Sequence, residues 1–200
     1  MKELSFSIEE DLNQINEVGS ILNESLDSAI YLMNDFLSDE KAEKKIIAQN
    51  FSKLRSMNIS YFPRDGVYNQ LLTTGSLELI IDRDLKAKLM YVYEHAFSRK
   101  DAVDNVIDEF GWRSIQAASG KIWVINKLFS DEASLITTYN KEDILDYFVS
   151  KDYYNSQDLI QFYSHSITLM NRYKNIINSI EKDLREILVL IASEINNDYP

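Results

Sequence analysis

Tyr163, Ser166, Met170, Tyr173, Ile177, Ile180, Leu184, Ile187 and Ile191 recur at alternating steps of three and four residues. That rhythm belongs to a helix that buries one narrow stripe. Ser156 is a fitting N-cap for it. From Gln157 to about Asn196 the helix would reach roughly 60 Å at 1.5 Å per residue. A stripe that long needs another long helix beside it. The N-terminal segment supplies one. Ile8, Leu12, Ile15, Gly19, Leu22, Leu26, Ala29, Met33 and Phe36 keep the same spacing. Ser7 with Glu10 three residues on reads as a capping box that opens this helix. Gly19 interrupts the seam, where a glycine lets a neighbour approach closely at a cost of about 1 kcal/mol in helix propensity.

Between these helices the signals are shorter. Ser38 and Asp39 read as the N-cap of a second helix through Ile46, Ile47, Phe51 and Leu54, ending near Asn58. "NISYFPRDG" is a connection, with Pro63 and Gly66 as breakers. A short helix holds Tyr68, Leu71 and Leu72. Gly75 is expected at its C′ position with positive φ, and Leu77, Leu79 and Ile80 then enter the core. Asp82 caps a further helix whose apolar face is Leu85, Leu89, Val92, Tyr93 and Phe97, continuing to Val103, Val106, Ile107 and Phe110. Gly111 and Gly120 are possible breaks, while Trp112, Ile115, Ile122, Trp123 and Leu128 are expected in the core. Asn140, with Asp143 at the third position, predicts one more short helix over "NKEDILDYF". No strand pattern of convincing length stands out. The fold class expected is all-α: an elongated helical bundle whose N- and C-terminal helices pack as a coiled-coil-like stalk. Residues 1–200 form a single domain on this reading, with stalk segments 1–58 and 156–200 and an insertion of shorter helices over 59–155.

An apolar fraction of 45%, 26% charged residues and only two prolines describe a folding chain. Its net charge of −11 argues against nucleic acid, which needs a Lys/Arg patch. The densest basic run, Lys41 to Lys45, contains Glu43 and reads as a solvated helix face. The absence of cysteine excludes disulfides, thiol catalysis, iron–sulfur clusters and structural Cys-type zinc. The longest apolar run, Ile187 to Ala192, is far short of the roughly 20 residues of a membrane span, and Met1 is not followed by a signal-peptide stretch.

Motifs of chemistry are few. His95 follows Glu94, and His165 lies near Tyr163, but neither belongs to a zinc pattern such as HExxH. Asp101, Asp104 and Asp108 fall at i, i+3 and i+7 on one helix face. Three carboxylates there suit a hard cation, though Arg99 and Lys100 beside them also suit an ordinary solvated face. No GxSxG, GxGxxG or Walker loop is present. Of the twelve tyrosines, five cluster at 91–93, 146–148 and 152–154. Amphipathic packing at helix boundaries accounts for such clusters, and an aromatic binding face is the alternative.

Tyr68, Leu71, Gly75, Leu77, Ile80, Leu85, Leu89 and Tyr93 together form the pattern Y..L...G.L..I....L...L...Y. It resembles a motif in an uncharacterised family of bacterial membrane-anchored proteins, the DUF6090-like group. That resemblance implies one N-terminal membrane helix, a helical extracytoplasmic region and a long final helix. It implies no enzyme activity and supplies no catalytic residues. The anchor is absent from this chain, so membrane attachment is expected only if a preceding segment has been removed.

The expected function is a non-enzymatic interaction, scaffold or sensor-like module, the soluble part of a membrane-associated bacterial protein. A protein partner is expected, self-association through exposed heptads is possible, and no cofactor, metal or catalytic residue is assigned. Its location would be the extracytoplasmic face of a bacterial membrane if an anchor precedes it, and otherwise the cytoplasm. The alternative is a helical-bundle metal-dependent hydrolase in which Glu94, His95 and the Asp101/Asp104/Asp108 stripe converge.

Overall fold

The protein is described by a computed structural model over residues 1–54, 60–118, 120–128 and 139–197. It is mostly helical, in the order α1 (Lys2–Leu37), α2 (Lys44–Leu54), α3 (Gly66–Thr73), α4 (Arg83–Met90), a π-helical turn (Tyr91–Ala96), α5 (Phe97–Ala118), β1 (Ile122–Leu128), β2 (Tyr139–Val149) and α6 (Gln157–Asn197). The long terminal helices are therefore present. One compact unit draws on Met1–Ser20, Ser60–Val106 and Arg172–Pro200, and the other on Ile21–Ile59 and Ile107–Asn171. This division cuts through α1, α5 and α6.

The helical expectation holds for most of the described residues, with a small two-stranded sheet in addition. β1 and β2 pair antiparallel, with Ile122 opposite Val149, Trp123 opposite Phe148 and Val124 opposite Tyr147. The stretch expected to form a helix from Asn140 is strand β2. Two apolar faces explain the error. Ile122, Val124 and Val149 are buried, but Trp123, Ile125 and Phe148 on the outward side are exposed and apolar too. The in-and-out alternation that identifies a half-buried strand is erased. The side chains of Trp112, Ile115 and Leu128, expected in the core, lie outside the described residues.

In the first unit, Leu4, Ile8, Leu12, Ile15 and Val18 of α1 are buried, as are Tyr173, Ile177, Ile180, Leu184, Ile187 and Ile191 of α6. Leu77, Leu85, Leu89, Val92 and Phe97 complete this core. In the second unit, Leu22, Leu26, Ala29 and Leu32 of α1 are buried. So are Ile47, Phe51 and Leu54 of α2, with Leu159, Phe162, Tyr163 and Met170 of α6. α6 holds its expected seam without exception. α1 departs from its expected seam at Gly19, Met33 and Phe36, which are half-buried, while Val18 and Leu32 are buried instead. A Cβ added at Gly19 would meet nothing within 4 Å, so no neighbour uses the missing side chain. Gly19→Ala should then raise unfolding stability by about 0.5–1 kcal/mol through helix propensity alone. Chemical denaturation checks this, and a loss of stability would mean that a close contact exists.

Local chemistry also corrects two caps. α1 starts at Lys2, so Ser7 is not its N-cap. α2 starts at Lys44, beyond the Ser38 and Asp39 pair. The basic run Lys41 to Lys45 is not simply solvated. Lys41 Nζ donates to the carbonyls of Asp35, Phe36 and Ser38 at the end of α1, and Lys44 Nζ donates to the Val149 carbonyl at 2.8 Å. A cation at a helix C-terminus answers the unpaired carbonyls there. Gly75 has φ 72°, and its amide donates to the Leu72 carbonyl at 3.2 Å, closing α3. Asp82 caps α4, its Oδ1 accepting from the amides of Asp84 and Leu85. Of the three residues expected to enter the core after Gly75, Leu77 is buried, Ile80 is half-buried and Leu79 is exposed.

Candidate functional site

The residues singled out for metal chemistry separate on inspection. Glu94 and His95 sit on the π-helical turn, and both are exposed. Glu94 accepts a hydrogen bond from the Tyr68 hydroxyl at 2.8 Å, and the His95 ring lies 6.3 Å from that of Tyr91. Asp101 and Asp104 both face Lys100, at 2.8 Å each, so their charge is already answered. Asp108 is exposed in the second unit, as is His165, whose ring meets the edge of Phe110 at 6.1 Å. Among the described residues no group of three or more His, Cys, Asp or Glu is placed to hold a metal ion.

A polar centre that the sequence did not reveal lies in the first unit. Asp11 on α1 is fully buried. Its Oδ1 accepts from the Arg64 amide at 2.9 Å, while Oδ2 has no hydrogen-bond partner. One turn earlier, the Ser7 hydroxyl donates to the Arg64 carbonyl at 3.0 Å, and Glu10 pairs with the Arg64 guanidinium at 3.3 Å. α1 therefore grips the backbone of one residue on both its amide and its carbonyl. The hydroxyls of Tyr61 and Tyr93 are also buried and without a hydrogen-bond partner. Tyr68 and Tyr93 stack with ring centroids 4.4 Å apart.

Lys100, 1% exposed, extends this centre. Its Nζ donates to the Tyr61 carbonyl at 2.6 Å and holds the two aspartates. The Tyr61 amide in turn donates to the Tyr173 hydroxyl on α6 at 2.9 Å.

Burial dominates the electrostatics. It pushes the Asp11 carboxyl up to about 6, outweighing the Arg64 amide and the neighbouring Tyr61 hydroxyl that favour its charge. It also raises the phenols of Tyr61 and Tyr93, with the Asp11 charge adding to both. Tyr68 is pushed up to about 12 by burial and by its bond to Glu94. These phenols stay protonated at neutral pH. Asp11 and Lys100 are walled off from solvent, and their hydrogen bonds tie the Tyr61–Arg64 backbone to α1 and α5.

The second unit presents the opposite arrangement. The hairpin lies against α2, where Asn126 Nδ2 donates to the Ser52 hydroxyl and Lys44 holds the end of β2. Its other face carries Trp123 and Phe148, each 41% exposed, directly opposite one another and stacked at 6.0 Å with their planes 20° apart. Ile125, next on this face and opposite Asp146, is exposed, as is Leu145 at the register shift beyond it. Trp123 was expected in the core; it is the centre of an apolar surface. Of the tyrosine clusters, Tyr153 is buried, with its hydroxyl 2.9 Å from that of Tyr163, while Tyr154 donates to Asp35 at 2.8 Å. Those two pack within the fold. Tyr147, in contrast, is partly exposed on β2.

Comparison with protein-family models, with curated proteins and with solved structures finds no match. Among the described residues no helix is long and apolar enough to cross a membrane.

Proposed function

We propose that this chain is a non-enzymatic interaction module that engages a protein partner through the outward face of the β1–β2 hairpin. The stacked Trp123–Phe148 pair, left in water with Ile125 exposed beside it on the same face, carries this reading. A cross-strand aromatic pair stabilises a hairpin by only about 0.2–1 kcal/mol. Burying two such rings in a partner's pocket is worth several times more, and aromatic residues dominate binding energy at interfaces. The net charge of −11 favours a partner whose rim is basic. In the same reading the seams of α1 and α6 pair as a coiled-coil-like scaffold that presents the hairpin. The module would belong to a membrane-associated protein.

A photo-reactive residue placed at position 123 tests the proposal in cells. Position 105, exposed on α5, serves as the control. A discrete adduct from 123 and not from 105 is expected. The captured protein, purified, should bind wild-type chain and lose at least about ten-fold in affinity to a Trp123→Ala/Phe148→Ala variant. That variant should melt within a few degrees of wild type. Equal adducts from both positions, or unchanged affinity of the double variant, would overturn the reading.

A further inference from the structure

We propose that Asp11 is an acid-set latch: protonating its buried carboxyl locks the segment carrying Tyr61 and Arg64 onto α1, and ionising it loosens that segment. Geometry supplies the mechanism. The segment emerges from residues outside the described set and is held to α1 through Arg64, by Ser7 at its carbonyl and Asp11 at its amide. Ionised, Asp11 keeps one buried oxygen without a hydrogen-bond partner. Protonated, the side chain carries no charge to hold out of water and still accepts from the Arg64 amide. Opening the segment admits water to the carboxylate, which the ionised form favours and the neutral form does not.

The groups that bear on Asp11 come from each neighbouring element. On the segment are Tyr61, Arg64 and Asp65. The Arg64 charge favours ionisation and the Asp65 charge opposes it. From the π-helical turn comes Tyr93. On α1 itself, Glu10 is occupied by the Arg64 guanidinium. From α6, Tyr173 approaches through the Tyr61 amide rather than directly. Opposed local charges leave burial to decide.

The sign follows. The carboxyl titrates at about 6 when latched and at 3.8 when exposed to water. The latch is therefore tightest below pH 4, weakens through the window from about 4 to 6, and is level above it. Amide hydrogen exchange at Arg64, corrected for intrinsic exchange, reads this directly. Protection in the wild type should fall at least ten-fold between pH 4 and 6 and then stay flat. In Asp11→Asn, which keeps the acceptor for the Arg64 amide, that fall should vanish. Ser7→Ala should lower protection at every pH and keep the same slope. A carbon-13 titration of the Asp11 carboxyl in unmodified protein serves if the asparagine variant does not fold; a midpoint near 6 is expected. Flat protection in the wild type, an unchanged slope in Asp11→Asn, or a carboxyl midpoint near 4 would each overturn the latch.

Discussion

Lys100→Ala should cost about 3–5 kcal/mol of stability, because it removes a buried cation from a polar centre and leaves its partners behind. The ammonium spends its donors on the Tyr61 carbonyl, Asp101 and Asp104. Asp101 is well exposed and loses little when unpaired. Asp104 is not in that position: its side chain is 13% exposed, and its Oδ1 already has no hydrogen-bond partner. Without Lys100 a nearly buried carboxylate and a buried carbonyl both go unanswered. The damage should come from what is left behind more than from the lost ion pair. A Lys100→Met/Asp104→Leu double variant should therefore recover much of the loss, since apolar replacement of both partners removes the uncompensated charge. Urea midpoints of wild type, single and double variants measure the difference. A single variant within about 1 kcal/mol of wild type, or a double variant worse than the single, would show that the centre is solvated.

Why this centre was invisible in the sequence follows from its construction. Lys100 stands among Arg99, Asp101 and Asp104, a neighbourhood that reads as a wet helix face. Nothing local says that the Tyr61 carbonyl, thirty-nine residues away, will descend on it. The same is true of α1. Ser7, Asp11, Ser25 and Asp35 are buried on its inward side, against the rule that polar side chains face water. Each is a hook for backbone that arrives from elsewhere. Ser7 and Asp11 take Arg64, Ser25 takes the Lys53 carbonyl, and Asp35 takes the Ala42 amide. A seam read for apolar residues alone slips around these positions, which is how Gly19 and Met33 came to stand in for Val18 and Leu32.

The turns were easier, because their physics is local. A glycine between two apolar clusters reports a left-handed residue, and Gly75 has it. An aspartate ahead of a helical stripe reports a cap, and Asp82 is one. The hairpin was hidden for the opposite reason to Lys100. Apart from Asp146 opposite Ile125, its outward side chains include Trp123, Ile125 and Phe148 where a solvated sheet would carry polar ones, and that anomaly is itself the reason to read the face as a docking surface. The carboxylate stripe was legible as a pattern and misleading as chemistry, since Lys100 occupies two of its members.

Leu184→Ala should cost about 2–5 kcal/mol, whereas Val189→Ala on the same helix should change stability by less than about 0.5 kcal/mol. Leu184 is fully buried on the seam of α6, and Val189 is 70% exposed. Both substitutions shorten an aliphatic side chain, and alanine is the better helix former in each case. Propensity favours both substitutions, Val189→Ala by a few tenths of a kcal/mol more, so a loss of about 2–5 kcal/mol can come only from the burial. Leu184 lies a turn from Ile180 and Ile187, both also buried, so the cavity opens inside close-packed side chains that relax only in part. Asp183, next to it, meets Lys88 of α4 at 3.0 Å, which helps fix the local register of α6. Guanidinium unfolding followed by far-ultraviolet circular dichroism gives both values on the same protein. If the two variants lost stability equally, the three-and-four spacing of α6 would be describing a helix without a buried stripe, and the reading of this chain would fail at its first step.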